Sequence, residues 1–334
     1  MRLSIACTLL VCAVLIPARV TCAQEIYERA IGARSYAMGA TGIAALDEPS
    51  SAPLNPAIVG FIVGVRGYFL VSSYSLAPVD HVRTDGLVGI GGETGVGRSW
   101  EFGGGVTLGH TRDDYESHAS QTRAHQRTEF LFIGAHAGFA SIVQLGIGAT
   151  VKWYPVPLLA GGHETARLLD IGALVSSQLY ESPRDVITAR AGYSYYNMGD
   201  AISDPSLGSL DVPEARRWGI QVDMSTFRWR PLYFLHNNQA PGVAISASFD
   251  TESEVSQHAS GQHSVGGEIG LSSILFARGG YVESIDGTDL ADATWGLGIG
   301  VRIGTFGGRL DITRWPARHD EYTTMFGFSL SVPL

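Results

Sequence analysis

The sequence predicts an all-β fold: a transmembrane outer-membrane β-barrel of about 14 antiparallel strands, with an N-terminal plug segment in the lumen. Three observations carry that prediction. Long runs alternate apolar residues with small or polar ones, aromatic residues stand at the ends of those runs, and an export leader precedes a chain with no apolar stretch long enough for a membrane helix. The expected divisions are a signal peptide over 1–23, a plug or hatch segment over 24–60 and the barrel over 61–334.

The leader comes first. Met1-Arg2 is followed by an apolar run from Leu3 to Ile16, then Pro17, and Thr21-Cys22-Ala23 supplies small residues for cleavage before Gln24. A lipoprotein signal would place Leu-x-Gly/Ala before Cys22, where Arg19-Val20-Thr21 stands instead. All three cysteines leave with the leader, which excludes a disulfide scaffold, a thiol enzyme and a cysteine-ligated metal. Loss of Arg2 and Arg19 takes the net charge from −9 to −11. With Lys152 the only lysine, so acidic a chain is a poor nucleic-acid binder. Glycine, 42 of 334 residues or roughly 13% against a usual ~7%, is neither periodic nor joined by enough Pro or Ser to indicate a fibre or a linker.

An exported chain without membrane helices can span lipid only as a closed barrel, because closure alone satisfies every backbone group. Its strands should alternate between lipid and lumen. From Val143 to Trp153 the odd positions are Val143, Leu145, Ile147, Ala149, Val151 and Trp153, and the even ones are Gln144, Gly146, Gly148, Thr150 and Lys152. Trp295, Leu297, Ile299, Val301 and Ile303 face one way against Gly296, Gly298, Gly300 and Arg302. Trp100, Phe102, Val106 and Leu108 oppose Glu101, Gly103, Gly105, Thr107 and Gly109. Glu101, Gln144, Lys152 and Arg302 are therefore expected to face the lumen. A soluble β-sandwich also alternates, but its strands are usually ~5–6 residues long, and glycine on the polar face would leave holes in its core. In order, the runs lie near 64–76, 83–92, 98–111, 122–138, 141–154, 164–180, 185–198, 213–226, 241–253, 260–271, 273–284, 291–303, 306–316 and 322–333.

Connections alternate too, short after even-numbered runs and generally longer after odd ones, which places both termini on the periplasmic side. The stretch 227–240, rich in Arg and aromatics, breaks the rule. It is either a misplaced strand boundary, which we favour, an extra strand, or a periplasmic surface for a partner. The last run carries a signal for the barrel-assembly machinery, with Gly327, Leu330 and Val332 fitting a Gly-x-x-apolar-x-apolar core and Leu334 standing where Phe is usual.

Residues 24–60 do not alternate. They contain Arg34, Met38-Gly39-Ala40, the acidic pair Asp47-Glu48 and Asn55-Pro56-Ala57. This arrangement resembles the entry segment of the FadL-like superfamily of outer-membrane proteins, most closely its PorV/PorQ branch. Leu169-Asp170-Ile171-Gly172-Ala173 and the stretch from Gly267 to Tyr281 echo the same family, while Leu54 departs from it where an aromatic is frequent. Small residues suit a plug packed closely in a glycine-rich lumen, and Asn55-Pro56 enforces an extended or turn dipeptide that steers the chain into the wall. The alternative is that Asn55-Pro56-Ala57 only shapes that turn and touches no ligand.

No chemistry emerges from the motifs. There is no Gly-x-Ser-x-Gly elbow, no phosphate loop around the single lysine, and His163-Glu164 is followed by Arg167 where a zinc helix needs His. His110, His118 and His125 with Asp113, Asp114 and Glu116 read as a solvated charged loop rather than a cation site, and Asp250, Glu252 and Glu254 as a strand emerging from the membrane. We expect no enzyme, cofactor or metal. The resemblance implies uptake of hydrophobic small molecules; its PorV/PorQ branch implies handling of secreted proteins in type IX secretion; a purely architectural membrane protein is the third reading. Outer-membrane lipid is the expected surrounding in each case. Sparse apolar lining weighs against a fatty-acid channel.

Overall fold

The computed structural model describes residues 32–46, 49–76, 79–96, 99–117, 122–140, 142–157, 163–199, 202–204, 208–210, 214–228, 241–255, 261–284, 291–303, 305–316 and 322–333. Cleavage of the leader, and the residues Asp47, Glu48 and Leu334, lie outside that set.

Fourteen antiparallel strands close into a barrel: β1 (Gly64–Leu76), β2 (Val79–Val96), β3 (Trp100–Ser117), β4 (Thr122–Phe139), β5 (Val143–Pro157), β6 (His163–Glu181), β7 (Asp185–Gly199), β10 (Ala215–Thr226), β11 (Val243–Glu254), β12 (Gly261–Leu271), β13 (Leu275–Ser284), β14 (Ala291–Ile303), β15 (Phe306–Pro316) and β16 (Tyr322–Val332). Between β7 and β10 lies a separate hairpin, β8 (Ile202–Asp204) with β9 (Gly208–Leu210). Each barrel strand pairs with its neighbours in sequence, and β1 closes the ring on β16 with Phe69 opposite Phe328.

Alternation sets the two faces. Ile147, Leu297 and Leu108 are 68%, 52% and 62% exposed, while Thr150, Gly298 and Thr107 on the same strands are buried. Outward apolar side chains on nearly every barrel strand give a belt that water would penalise at ~25 cal/mol per Å² and lipid would not. Trp100 and Phe139, opposite each other where β3 and β4 reach their turns, pack edge to face with centroids 5.1 Å apart. On β3 the outward face is apolar from Trp100 to Leu108 and then becomes His110, Arg112 and Asp114. Strands β2 and β3 therefore continue past the lipid band, beyond where the sequence pattern stopped.

The stretch after β10 resolves one expectation differently. Thr226 pairs with Val243, so the boundaries stand and the connection is a real one over 227–242. β10 pairs directly with β11, so the fourteen-stranded ring has no member between them. Its start is held by Arg228 Nη2, 2.6 Å from Asp185 Oδ2; residues 229–240 lie outside the described set.

Candidate functional site

The interior of the barrel is where the N-terminal segment and the inward side chains meet. Residues 32–46 and 49–62 form the short helix α1 (Ala33–Ala37) and two 3-10 turns, Pro49–Ser51 and Pro56–Phe61, and are almost entirely buried. They touch strands around the ring, and glycine makes the approach possible. Gly91, Gly105, Gly134, Gly148 and Gly172 lie directly opposite one another across β2 to β6. A Cβ on any of them would overlap Ile62, Val59, Gly60, Pro56 or Asn55. Gly192 and Gly219 continue the level beneath Ile43, and Gly266 and Gly280 beneath Met38 and Gly39. Glycine on the inward face thus forms a track on which the segment lies, with no side chain between the two backbones.

Polar inward groups then fix the segment. Tyr68 Oη accepts from Ala33 N at 2.6 Å, and Thr313 Oγ1 donates to the Ala33 carbonyl at 2.7 Å. Arg34 makes a two-pronged pair with Glu268, Nε to Oε2 and Nη2 to Oε1 both at 3.0 Å, and Glu268 is shared with Arg278, which reaches Asp311. Thr294 Oγ1 accepts from Gly39 N and donates to the Ala37 carbonyl, each at 2.9 Å. Gly39 has φ of 72° and its Cβ position lies 2.6 Å from the Tyr281 carbonyl, so conformation and space both require glycine. Met38 is 2% exposed, its backbone on Gly266.

Farther along, Asp250 Oδ2 accepts from Gly42 N at 2.8 Å and Ile43 N at 3.1 Å and pairs with Arg217 at 3.1 Å. Asp250 is 1% exposed, which corrects its expected place at a strand leaving the membrane; Arg217 also donates to the Ala40 carbonyl and lies 3.5 Å from Glu252. Asn55 is extended at φ −152°, as a residue before proline should be, and its Oδ1 caps the Pro56–Phe61 turn through Ala57 N at 3.0 Å. Its amide donates to the Ile43 carbonyl at 2.8 Å and the Ala173 carbonyl at 3.0 Å. Asn55 therefore joins two parts of the segment to the wall, more than a turn alone demands. Tyr196 donates to the Leu54 carbonyl.

Of the four polar positions expected in the lumen, Glu101 and Gln144 meet while Lys152 and Arg302 stand apart. Glu101 accepts from Gln144 Nε2 at 3.2 Å and lies 3.2 Å from His136 Nε2. Lys152 bonds Asp170 at 2.8 Å and also donates to Asn197, across β5, β6 and β7. Arg302 has the inward parity but is exposed, because it stands beyond Gly300, the last buried inward position of its strand. On the final strand Gly327 is inward and buried against Ala33 and Tyr68, Leu330 is 43% exposed on the outer face and Val332 is half-buried.

Gln144 also lines a cleft of about 160 Å³ with Leu46, Ile142, Ser176, Gln178, Thr188 and Arg190. That volume is close to the ~150 Å³ of a dry cavity able to hold one benzene ring, but the lining here is mostly polar. As for the histidine-rich stretch, His110 to Glu116 lie on β3 rather than in a loop, with Asp113 turned inward to His81 at 3.0 Å and Asp114 turned outward to Arg112. His118 and the side chain of His125 lie outside the described set. Arg217 and Asp311 escaped the sequence reading, Glu268 and Arg278 entered it only within a family echo and Asp250 only as a strand end; the signal for all five as interior charges was inward parity on strands whose other face is apolar.

No family model matches the sequence, and no curated protein matches it. Solved structures do. The deltaS2 mutant of the monoaromatic hydrocarbon channel TodX is 13% identical, covering 92% of this chain and 100% of that one at a TM-score of 0.51. The toluene transporter TbuX of Ralstonia pickettii is 12% identical over 92% of this chain and 100% of its own, at 0.49. A Pseudomonas aeruginosa FadL homologue is 11% identical over 94% and 100%, at 0.42. At such identity the likeness is one of fold alone, that of a closed antiparallel outer-membrane β-barrel.

Proposed function

We propose that the chain is a non-catalytic channel of the Gram-negative outer membrane for hydrophobic small molecules, closed in this structure by residues 32–62 acting as a plug. The observation that carries the proposal is the path of that segment: it runs around the inner wall on a glycine track and is tied by hydrogen bonds to strands on all sides. A wall built only for rigidity would be filled by its own side chains. This wall instead sacrifices side chains so that a separate element can lie within it. The fold shared with the TodX mutant supports the substrate class, since that protein is described as a monoaromatic hydrocarbon channel. Because the described cleft is polar, a hydrocarbon passes only if the plug moves. In this reading the end of the barrel with the chain termini and most of the short turns is periplasmic, and Gly327, Leu330 and Val332 serve assembly.

A second reading, a PorV/PorQ-type barrel that receives secreted proteins, is favoured by the charged interior around Glu268, Arg278 and Asp311. One experiment separates the two. Thr41 Oγ1 and Ser248 Oγ lie 2.6 Å apart between plug and wall, so T41C with S248C places two sulfurs within bonding reach in a mature chain that has no other thiol. Cells carrying the variant should take up radiolabelled toluene when reduced and lose uptake when oxidised. Equal uptake in both states would sink the moving plug. No uptake in either state, with secreted proteins recovered on the barrel by crosslinking, would move the chain to the secretion reading, and neither signal would leave an architectural protein.

A further inference from the structure

Three metal-ligating side chains converge at the end of the barrel where the plug enters the wall. Glu93 of β2, Glu101 of β3 and His136 of β4 hold one ligand atom each within 4.8 Å of one another. All three have inward parity, and His136 lies against the last turn of the N-terminal segment at Gly60 and Phe61. His136 is the anchor: its side chain is 1% exposed and stacks on Phe61 with ring centroids 4.4 Å apart and planes 9° apart. Gly103, opposite His136 on β3, leaves the room the imidazole occupies.

The tautomer of that ring follows from its partners. Nδ1 lies 2.6 Å from the Gly60 carbonyl, which can only accept, so Nδ1 carries a proton. In the neutral ring Nε2 is then a bare lone pair, and what it faces is Glu101 Oε1 at 3.2 Å, another acceptor. Two acceptors at that distance need a proton or a metal ion between them. Nδ1–H to a backbone carbonyl is also how metal-bound histidines are oriented. Glu101 is steadied in turn by the Gln144 amide at 3.2 Å. Donors about 2.1 Å from a tetrahedral zinc stand about 3.4 Å apart. The His136–Glu101 pair already meets that spacing, and the exposed Glu93 has the freedom to close the remainder.

We propose that Glu93, Glu101 and His136 form a divalent transition-metal site, of zinc type by its one nitrogen and two carboxylate donors, with its remaining position left to water. Such an ion ties the end of the plug, through His136 and Gly60, to three strands of the wall. The test uses the full mature chain in detergent micelles, stripped with chelator and titrated with ZnCl2 by calorimetry, with MgCl2 in parallel. One zinc per chain at micromolar affinity is expected, with no magnesium heat, and E93Q/E101Q should weaken zinc at least tenfold. Both glutamates are at the rim and their amides keep the shape, so this variant folds where a His136 replacement would unstack Phe61. Absence of saturable zinc binding would overturn the site and leave the His136–Glu101 contact bridged by a proton alone. Zinc binding that E93Q/E101Q does not change would also overturn it, by assigning the ion to other histidines.

Discussion

At the scale of single residues, what matters is which inward positions are empty of side chain and which carry charge. Gly148, which faces inward, and Gly92, on the outer face of β2, make the contrast. A methyl on Gly148 would run into the Pro56 carbonyl, which is backbone held by the turn behind it, whereas a methyl on Gly92 meets nothing within 4 Å. G148A should therefore lower stability by about 1–3 kcal/mol through overpacking, while G92A leaves it unchanged, as read from urea unfolding midpoints in micelles. Equal midpoints would mean that the segment does not lie on the glycine track. Asp250 is the opposite case, a buried carboxylate holding two plug N–H groups and Arg217. Removing it in D250A strands a guanidinium that is 2% exposed, at a cost of about 3–5 kcal/mol for one broken buried pair. An unchanged D250A midpoint would show that Glu252 alone suffices for Arg217.

At the scale of elements, the N-terminal segment that we propose as the plug has little regular structure, so its order depends on its contacts. Asn55 is the joint, because one amide bonds carbonyls of both plug and wall while the carbonyl oxygen caps the turn that follows. N55A removes all three bonds and should cost about 1–3 kcal/mol for the groups left unpaired. N55D keeps the cap but turns an oxygen toward the Ile43 and Ala173 carbonyls, so it should be worse than N55A. Limited proteolysis of the plug is the measurement, with cleavage rising from wild type to N55A to N55D; the reverse order would mean the cap is the part that matters. The strands were legible because period-two alternation survives wherever one face meets lipid. β1, β14 and β15 begin and end where the pattern does. β2 and β3 run on past it because above the lipid both faces become polar and the period fades, and β8 and β9, three residues each, are too short to show one. The N-terminal segment was legible as a stretch that does not alternate and by the resemblance carried by Arg34, Met38-Gly39-Ala40 and Asn55-Pro56-Ala57. Its partners were not, since pairing Arg34 with Glu268 or Gly42 with Asp250 needs more than 200 residues of barrel to close first.

At the scale of the whole molecule, the exposed apolar belt is the property that decides between a barrel in lipid and a β-protein in water, and depth is what distinguishes them. On β5 the outward positions run Val143, Leu145, Ile147, Ala149 and Val151, so Ile147 is the middle of the belt and Val143 its edge beside the turn to β4. In lipid an arginine costs about 2–4 kcal/mol at the midplane and about 0–1 near the interface, where its guanidinium reaches water. In water the two positions are equivalent, and an exposed substitution at either lies within about 0.5 kcal/mol. I147R should therefore destabilise the barrel by several-fold more than V143R when both are refolded into phospholipid vesicles and unfolded in guanidinium. The inward face supplies the control: Thr150 and Lys152 on the same strand already carry polar groups, so T150S should be near neutral at a depth where I147R is not. A cost that does not depend on depth would deny the belt its lipid. A cost that falls from Ile147 to Val143 while T150S stays silent requires hydrocarbon outside and a polar interior within, which is the arrangement a plug tied by charged and hydroxyl side chains presupposes.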